Sequence, residues 1–542
     1  MTDQRVVVVT GGGAGIGAAV AEELGRHGCF VVTVDPLLTI DGSAPLETAE
    51  PTTADRIVAA GGTAQASNAS VTDGPAVATL FQDLVAERGR LDAVINVAGI
   101  TRPTSYASGA DEDWRNVLEV HLDGYLNVLR AALPIMVAAG HGQIVGVTSG
   151  SGWRAADAGA YSCAKRAVAS LTWQLGRVTP PGVTVNAVSP IAVTRMVTAA
   201  LERAAAAAAA RPGGAGNATG GLSLGSMPEP VELGPFGAHL AGAGLEWLRG
   251  QVLFAGGPEV AVIEAPRLLE VLRTDGVDSL PAVLDAVSAG AFAPAEAAQA
   301  TSGATNPRFT EVLAAPGEVI ATEVRTALVV SDRPEEATTI AAALEARGVA
   351  VHLVPAVATD VASASAALSS VPDVDAVVVA AARPAVTVEG SAWERILADH
   401  ASLVGEVEAD TVWSRAASAH ARPLRLVTVT DAVSGAGRSR AQAVAQLSRS
   451  SRKTTRDGVI GFSVSMEGTD STAAAELVAH LVASPDAPSL SGAELATGDG
   501  WIGLRSHPRP LGSVVLGDRG VPDWLDGVLR DIVGAPDEGG QP

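Results

Sequence analysis

The sequence predicts an α/β protein: two doubly wound parallel-sheet units in tandem, the second a degenerate relative of the first. Three observations carry this expectation. Apolar runs of strand length alternate with segments of helical periodicity from residue 5 to about residue 190. The alternation fails beyond Thr194 and restarts at "RTALVVSD", residues 325–332. Finally, "WRNVLEVH" at 114–121 returns as "WERILADH" at 393–400. Trp114, Leu118 and His121 therefore share one helical face, as do Trp393, Leu397 and His400.

In order, "RVVVVT" reads as a buried strand, "GIGAAVAEELGRHG" as a helix closed by glycine and "CFVVTVD" as a second strand. "LDAVINVAG", "GQIVGVTS", "GVTVNAVSP" and "GQVLFAGG" continue the strands, with helices from Asp111 and from Ala158 between them. Seven alanines from Ala204 lead into "RPGGAGNATGGLSLGSMPEP", expected to be a mobile loop because small residues, glycine and proline cannot pack as one element. Residues 258–321 read as an extension and linker, with helix-like pieces at "PRLLEVLR" and "LPAVLDAVSAG". The second series runs "RTALVVSD", "PEEATTIAAALEARG", "VAVHLVP", "VDAVVVAAARP", the Trp393 helix and "LRLVTVTD"; "LSGAELATGDG" near 490 echoes "LRGQVLFAGG" near 248. The expected division is 1–260, a linker at 261–321, and 322–542.

Composition narrows the partners. A 542-residue chain exceeds one ordinary core, and its net charge of −22 disfavours nucleic acid and anionic membrane. No secretory leader or membrane-spanning apolar stretch is read, so a cytoplasmic location is expected. Cys29 and Cys163 offer neither a disulfide framework nor metal-ligand spacing, and no metal is expected.

The chemistry concentrates in the first half. "TGGGAGIG" follows the first strand: Gly11 permits the turn, Gly15 with Ile16 brings backbone close to a pyrophosphate, and Gly17 lets the helix pack tightly. Asp35 ends the second strand, where a carboxylate binds ribose hydroxyls and repels a 2′-phosphate, so NAD is expected as cofactor. Tyr161 and Lys165 in "AYSCAKRAV" are four apart on a helix, hence on one face, and an ammonium there favours the phenolate. Only Lys165 and Lys453 are lysines, and the chain has 3 tyrosines, so this spacing arises by chance in only about one case in a hundred.

With these motifs, residues 5–260 resemble the short-chain dehydrogenase/reductase family, known by TGxxxGxG, an NNAG-like strand end, and serine followed by YxxxK. The resemblance implies that Ser149 polarises the substrate oxygen, Tyr161 exchanges its proton, and Lys165 lowers the tyrosine pKa and holds the nicotinamide ribose. It further assigns cofactor contacts to Asn96 and Gly99 of "NVAG", to Ser70 and Val71 after the third strand, and to Pro190 and Thr194 of "SPIAVT". Ser151 is the alternative serine. His121 stands where the family commonly has an asparagine supporting a proton relay; relay and packing on the Trp114 face both remain open.

The expected function is interconversion of a secondary alcohol and its ketone by hydride transfer. A 3-hydroxyacyl thioester dehydrogenase or ketoreductase is the second reading, and a non-catalytic nucleotide-binding protein the third. In the second half Pro355 replaces the acidic residue, "SDRPEE" the glycine turn and Asp431 the serine, while no tyrosine follows Tyr161. That unit is expected to bind no NAD and to cover an apolar helix face of the first. A dimer giving a pseudo-tetramer of units is the expected assembly.

Overall fold

The computed structural model describes residues 4–47, 50–209, 227–275, 280–288, 292, 324–355, 358–382, 388–517 and 520–534. The glycine-rich stretch 211–226 and most of the expected linker lie outside them.

Two sheets form. The first contains β1 (Val6–Thr10), β2 (Phe30–Val34), β3 (Thr63–Ser67), β4 (Ala93–Asn96), β5 (Gly142–Val147), β6 (Val183–Pro190), β7 (Val252–Gly256) and β8 (Glu259–Glu264). The second contains β9 (Leu268–Arg273), β10 (Thr326–Val330), β11 (Ala350–Val354), β12 (Ala376–Val379), β13 (Leu424–Asp431), β14 (Val459–Met466), β15 (Glu494–Gly498) and β16 (Trp501–Arg505). A last strand, β17 (Arg509–Val515), returns to the first sheet. The first sheet has the order β17-β8-β7-β6-β5-β4-β1-β2-β3 and the second β11-β10-β12-β13-β14-β15-β16-β9. Read in reverse, the second repeats the first without a counterpart of β3. Both are Rossmann-like, and their central strands are Val-rich and buried on both faces, as a helix-covered parallel sheet requires.

The edges hold a feature absent from the sequence reading. β8 pairs with β17, and β9 with β16, both antiparallel, in one nearly continuous register: Glu259 faces Val515, Glu264 faces Arg509, Leu268 faces Arg505 and Arg273 faces Trp501. Residues 259–273 and 501–515 thus form one ribbon passing from sheet to sheet, its crossing tied by Ser506 N–H donating to Arg267 O at 2.8 Å. Both crossings contain Pro-Arg, at 266–267 and 508–509. Consequently "PRLLEVLR", expected to be helix-like, is a strand from Leu268: pairing with β16 outweighs the helix preference of Leu, Glu and Arg. The expected boundary at 260 falls inside β8, whereas "LPAVLDAVSAG" is helical over Leu280–Ser288.

Between the sheets, the helix Ala160–Val178 packs on Gly435–Ser448, and the Asp111–Leu118 helix on Leu403–Ala419. The expected Trp-Leu-His faces are buried in both halves. The segment Asp111–Ala139 is long and apolar enough to cross a membrane by length and composition, contrary to the sequence reading. Trp114, Leu118, Leu122, Leu126, Leu129, Leu133 and Met136 nevertheless lie in the core, so its apolarity is spent inside the molecule.

Candidate active site

Strand order reverses beside β1, whose neighbours β2 and β4 are reached in opposite directions, leaving a crevice outside their carboxyl ends. Gly11 (φ 64°) and Gly15 (φ 56°) turn the chain from β1 into the helix Gly15–Arg26. A Cβ on Gly11 would meet Ala98 N at 2.7 Å, and one on Gly17 would meet Gly11 O at 2.1 Å, so both positions require glycine. Ala14 precedes the helix without a side-chain cap, leaving first-turn amides available to an anion. Ile16 packs its side chain against the core beneath. Thr194 places its methyl opposite Gly15, 3.6 Å from where a Cβ would sit.

The Asp35 carboxylate accepts hydrogen bonds from Gly13 N at 3.0 Å and Leu37 N at 2.8 Å, which fixes it beside the glycine turn. Asn96 ties β4 to β1 by accepting from Thr10 Oγ1 at 2.7 Å. Ser70 Oγ is bonded to Thr72 Oγ1 at 2.8 Å, and Val71 O accepts from Asn127 Nδ2 at 2.9 Å, holding the segment after β3. Pro190 ends β6.

The expected catalytic residues converge. Ser149 lies near enough to Tyr161 to oppose the rise that burial imposes on its phenol, and Ser151 donates its backbone N–H to Ser149 Oγ at 3.2 Å. The structure therefore brings Ser149 to the tyrosine. Lys165 is buried, donates from Nζ to Val147 O at 2.6 Å and lies 5.6 Å from the Tyr161 ring centre. Burial pulls the Lys165 pKa down to about 7. Burial raises that of Tyr161, with Ser149 working against it. Burial is the larger influence on the phenol, and Lys165 Nζ is engaged by the Val147 carbonyl.

His121 lies in a π-helical turn, Glu119–Asp123, a local widening of the helix. Its ring stands edge-on to Tyr161, 5.0 Å between centroids. Nε2 lies 2.9 Å from Ile100 O, which can only accept, so Nε2 carries the proton. Nδ1 is then a buried acceptor with no partner among the described residues. A Cβ at Gly99 would strike this imidazole at 2.4 Å, giving that glycine a packing reason. Burial, with the Lys165 charge second, drives the His121 pKa well below its ordinary value; the Ile100 bond opposes them. His400, its counterpart, donates and accepts between Ile396 O and Ser439 Oγ and is fully satisfied.

One residue escaped the sequence reading. Arg154 lies over Trp153 at 4.6 Å and Phe254 at 5.8 Å, at the carboxyl end of β6 and β7, with no side-chain hydrogen bond or ion pair among the described residues. Only its place after "SGSG" could have signalled it.

These features fit a nicotinamide dinucleotide: an uncapped helix start for the pyrophosphate, Asp35 for a ribose, and Lys165 and the unpartnered His121 Nδ1 beside Tyr161. In the second unit the equivalent crevice is crossed by charge: Arg333 pairs with Glu336 and, at 3.4 Å, with Asp431.

A family model described as short chain dehydrogenase matches residues 5–205, wholly within the first unit. The short-chain reductase protein NovJ of Streptomyces niveus is 35% identical over 205 residues, 38% of this chain and 75% of that protein. Acetoacetyl-CoA reductase of Cupriavidus necator is 33% identical over 189 residues, 34% of this chain and 74% of that protein. The chain spans 22%, 21% and 25% of the lengths of three multifunctional peroxisomal relatives. The solved N-domain of a bacterial malonyl-CoA reductase with NADP is 18% identical, with a TM-score of 0.61 over 88% of this chain and 95% of that one, a likeness of fold.

Proposed function

Since this chain belongs to the short-chain dehydrogenase family, we propose that it interconverts a secondary alcohol and its ketone at the Ser149, Tyr161 and Lys165 site, with NAD preferred. The single observation that carries the reading is that Lys165 Nζ lies 5.6 Å from the Tyr161 ring centre on one helix, with the turn that Ser149 opens packed on that same helix at the carboxyl end of β5. The bound dinucleotide would supply or take up the hydride at the substrate carbon. Ser149 holds the substrate oxygen by a hydrogen bond, and Tyr161 gives that oxygen its proton in reduction or removes it in oxidation. Lys165 Nζ donates to Val147 O, and its remaining N–H groups can reach a ribose hydroxyl. Asp35 supports NAD over NADP, because a 2′-phosphate would meet its charge.

A second reading, reduction of a 3-oxoacyl thioester, draws support from Arg154, a stacked cation available to an anionic substituent, and from the acetoacetyl-CoA reductase relative. Turnover is to be measured by nicotinamide absorbance with uncharged secondary alcohols and with 3-hydroxyacyl thioesters, for wild type and Tyr161→Phe. The variant is expected to lose about a hundredfold or more in kcat. Retention of near-normal kcat by Tyr161→Phe would sink the assignment, and turnover of thioesters alone would select the second reading.

A further inference from the structure

We propose that the second unit is a working part of the active site: Gln446 and Arg449 hold the loop that carries Ser149 and thereby set the position of its hydroxyl. The proposal rests on the catalytic reading above. The loop makes a tight 3-10 turn at Gly150–Gly152 after β5, closed by Gly152 N–H to Ser149 O at 2.8 Å and Arg154 N–H to Gly150 O at 2.8 Å. Such a turn leaves its following carbonyls pointing away from itself, and four successive ones receive side-chain donors. Gln446 Nε2 donates to Ser151 O at 2.9 Å and to Arg154 O at 2.7 Å. Arg449 Nη1 donates to Trp153 O at 3.0 Å, and Arg166 Nη1 reaches Gly152 O at 3.4 Å.

Arg166 belongs to the catalytic helix, yet its own partners lie across the interface: Gln442 Oε1 at 2.7 Å, Glu494 Oε2 at 2.6 Å and Gln446 Oε1 at 3.4 Å. Gln446 is buried, so these bonds form away from competing water. The loop also lies directly on the helix bearing Tyr161 and Lys165: a Cβ on Gly152 would stand 2.8 Å from the Lys165 carbonyl carbon. The serine loop is thus held both by its own helix and by Gln446 and Arg449 of the second unit. Ser149 is the N-cap of this turn, so displacing the turn moves its hydroxyl relative to Tyr161.

The test compares Gln446→Leu with Gln174→Leu in the full chain. Gln174 also bonds across the interface, to Gly435 O and Ser439 Oγ, both at 3.1 Å, but away from the serine loop. Gln446→Leu is expected to lower kcat about tenfold or more, since small misplacements of reacting groups are costly, with cofactor affinity unchanged. The ascending limb of its pH profile for alcohol oxidation should move to higher pH, because a displaced Ser149 no longer opposes the rise that burial imposes on the Tyr161 phenol. Gln174→Leu should lower the melting temperature without moving that profile. Arg449→Met, which removes one loop donor, should shift kcat and the profile in the same direction by less, and it decides the matter if Gln446→Leu does not fold. A wild type without carbonyl or alcohol turnover overturns the catalytic reading and this inference together. An active wild type beside an equally active Gln446→Leu, or equal losses in both glutamine variants with no change of profile, overturns this inference alone.

Discussion

Glu494→Gln removes the negative member of an ion pair joining the two units. The Arg166 and Glu494 side chains are 0% and 2% exposed and 2.6 Å apart. Neutralising one member leaves a guanidinium charge in a dry interface, which costs about 3–5 kcal/mol. For 542 residues, an unfolding entropy of about 2.1 cal/mol/K per residue gives about 1.1 kcal/mol/K, so the melting temperature should fall by about 3–4 °C. The double variant Arg166→Met with Glu494→Leu removes both charges and is expected near wild-type stability, because replacing a buried pair by apolar groups is often neutral. Acid dependence gives a second readout. Burial raises the Glu494 pKa, but Arg166, His507 and Gln442 together outweigh it and hold the carboxyl below its ordinary value. A depressed carboxyl contributes stability that is present above its unfolded pKa, about 4.3 for glutamate, and is lost as pH falls through the folded value. Wild type should therefore lose this increment on acidification below about pH 4.3, whereas Glu494→Gln should not. Calorimetric melting of wild type, Glu494→Gln and the double variant across that pH range measures both effects. A loss under about 1 kcal/mol for Glu494→Gln, or an acid dependence parallel to wild type, would refute the reasoning.

Asp35→Ala should weaken NAD binding and narrow the gap in kcat/KM between NAD and NADP, since it removes ribose acceptors and the charge opposing a 2′-phosphate; an unchanged ratio would reduce Asp35 to the partner of Gly13 and Leu37. Titration calorimetry should find one dinucleotide per chain, because Arg333, Glu336 and Asp431 occupy the second crevice with their own ion pairs. Two sites would contradict this.

What the sequence disclosed was what lies close along the chain. The glycine turn from Gly11 to Gly17, Asp35 some twenty residues later, and the four-residue step from Tyr161 to Lys165 all express their geometry locally, so residue type and spacing suffice. β3, "TAQAS", was placed only through the resemblance, because it is a polar, largely uncovered edge strand without alternation. β14, "VIGFSVSM", was passed over although buried, its glycine and serines interrupting an apolar run. The helix-like reading of "LLEVLR" failed because its state is decided by Trp501–Arg505, more than two hundred residues away. The same distance hid the clamp on the serine loop: Gln446 and Ser151 are 295 residues apart, and no local pattern marks either. His121 and His400 share a motif but not a fate, since one faces Tyr161 and the other Ser439.

The ribbon that crosses between the sheets joins segments that leave the ribosome far apart in time. Glu264 must wait for Arg509, and Glu259 for Val515, before the edge of the first sheet can close. Emergence of Tyr161 therefore does not complete the sheet that holds it; β17 is needed to close its edge, although domains generally fold in the order of their synthesis. A product terminated early would carry Ser149, Tyr161 and Lys165 but lack both β17 and the donors that hold the serine loop.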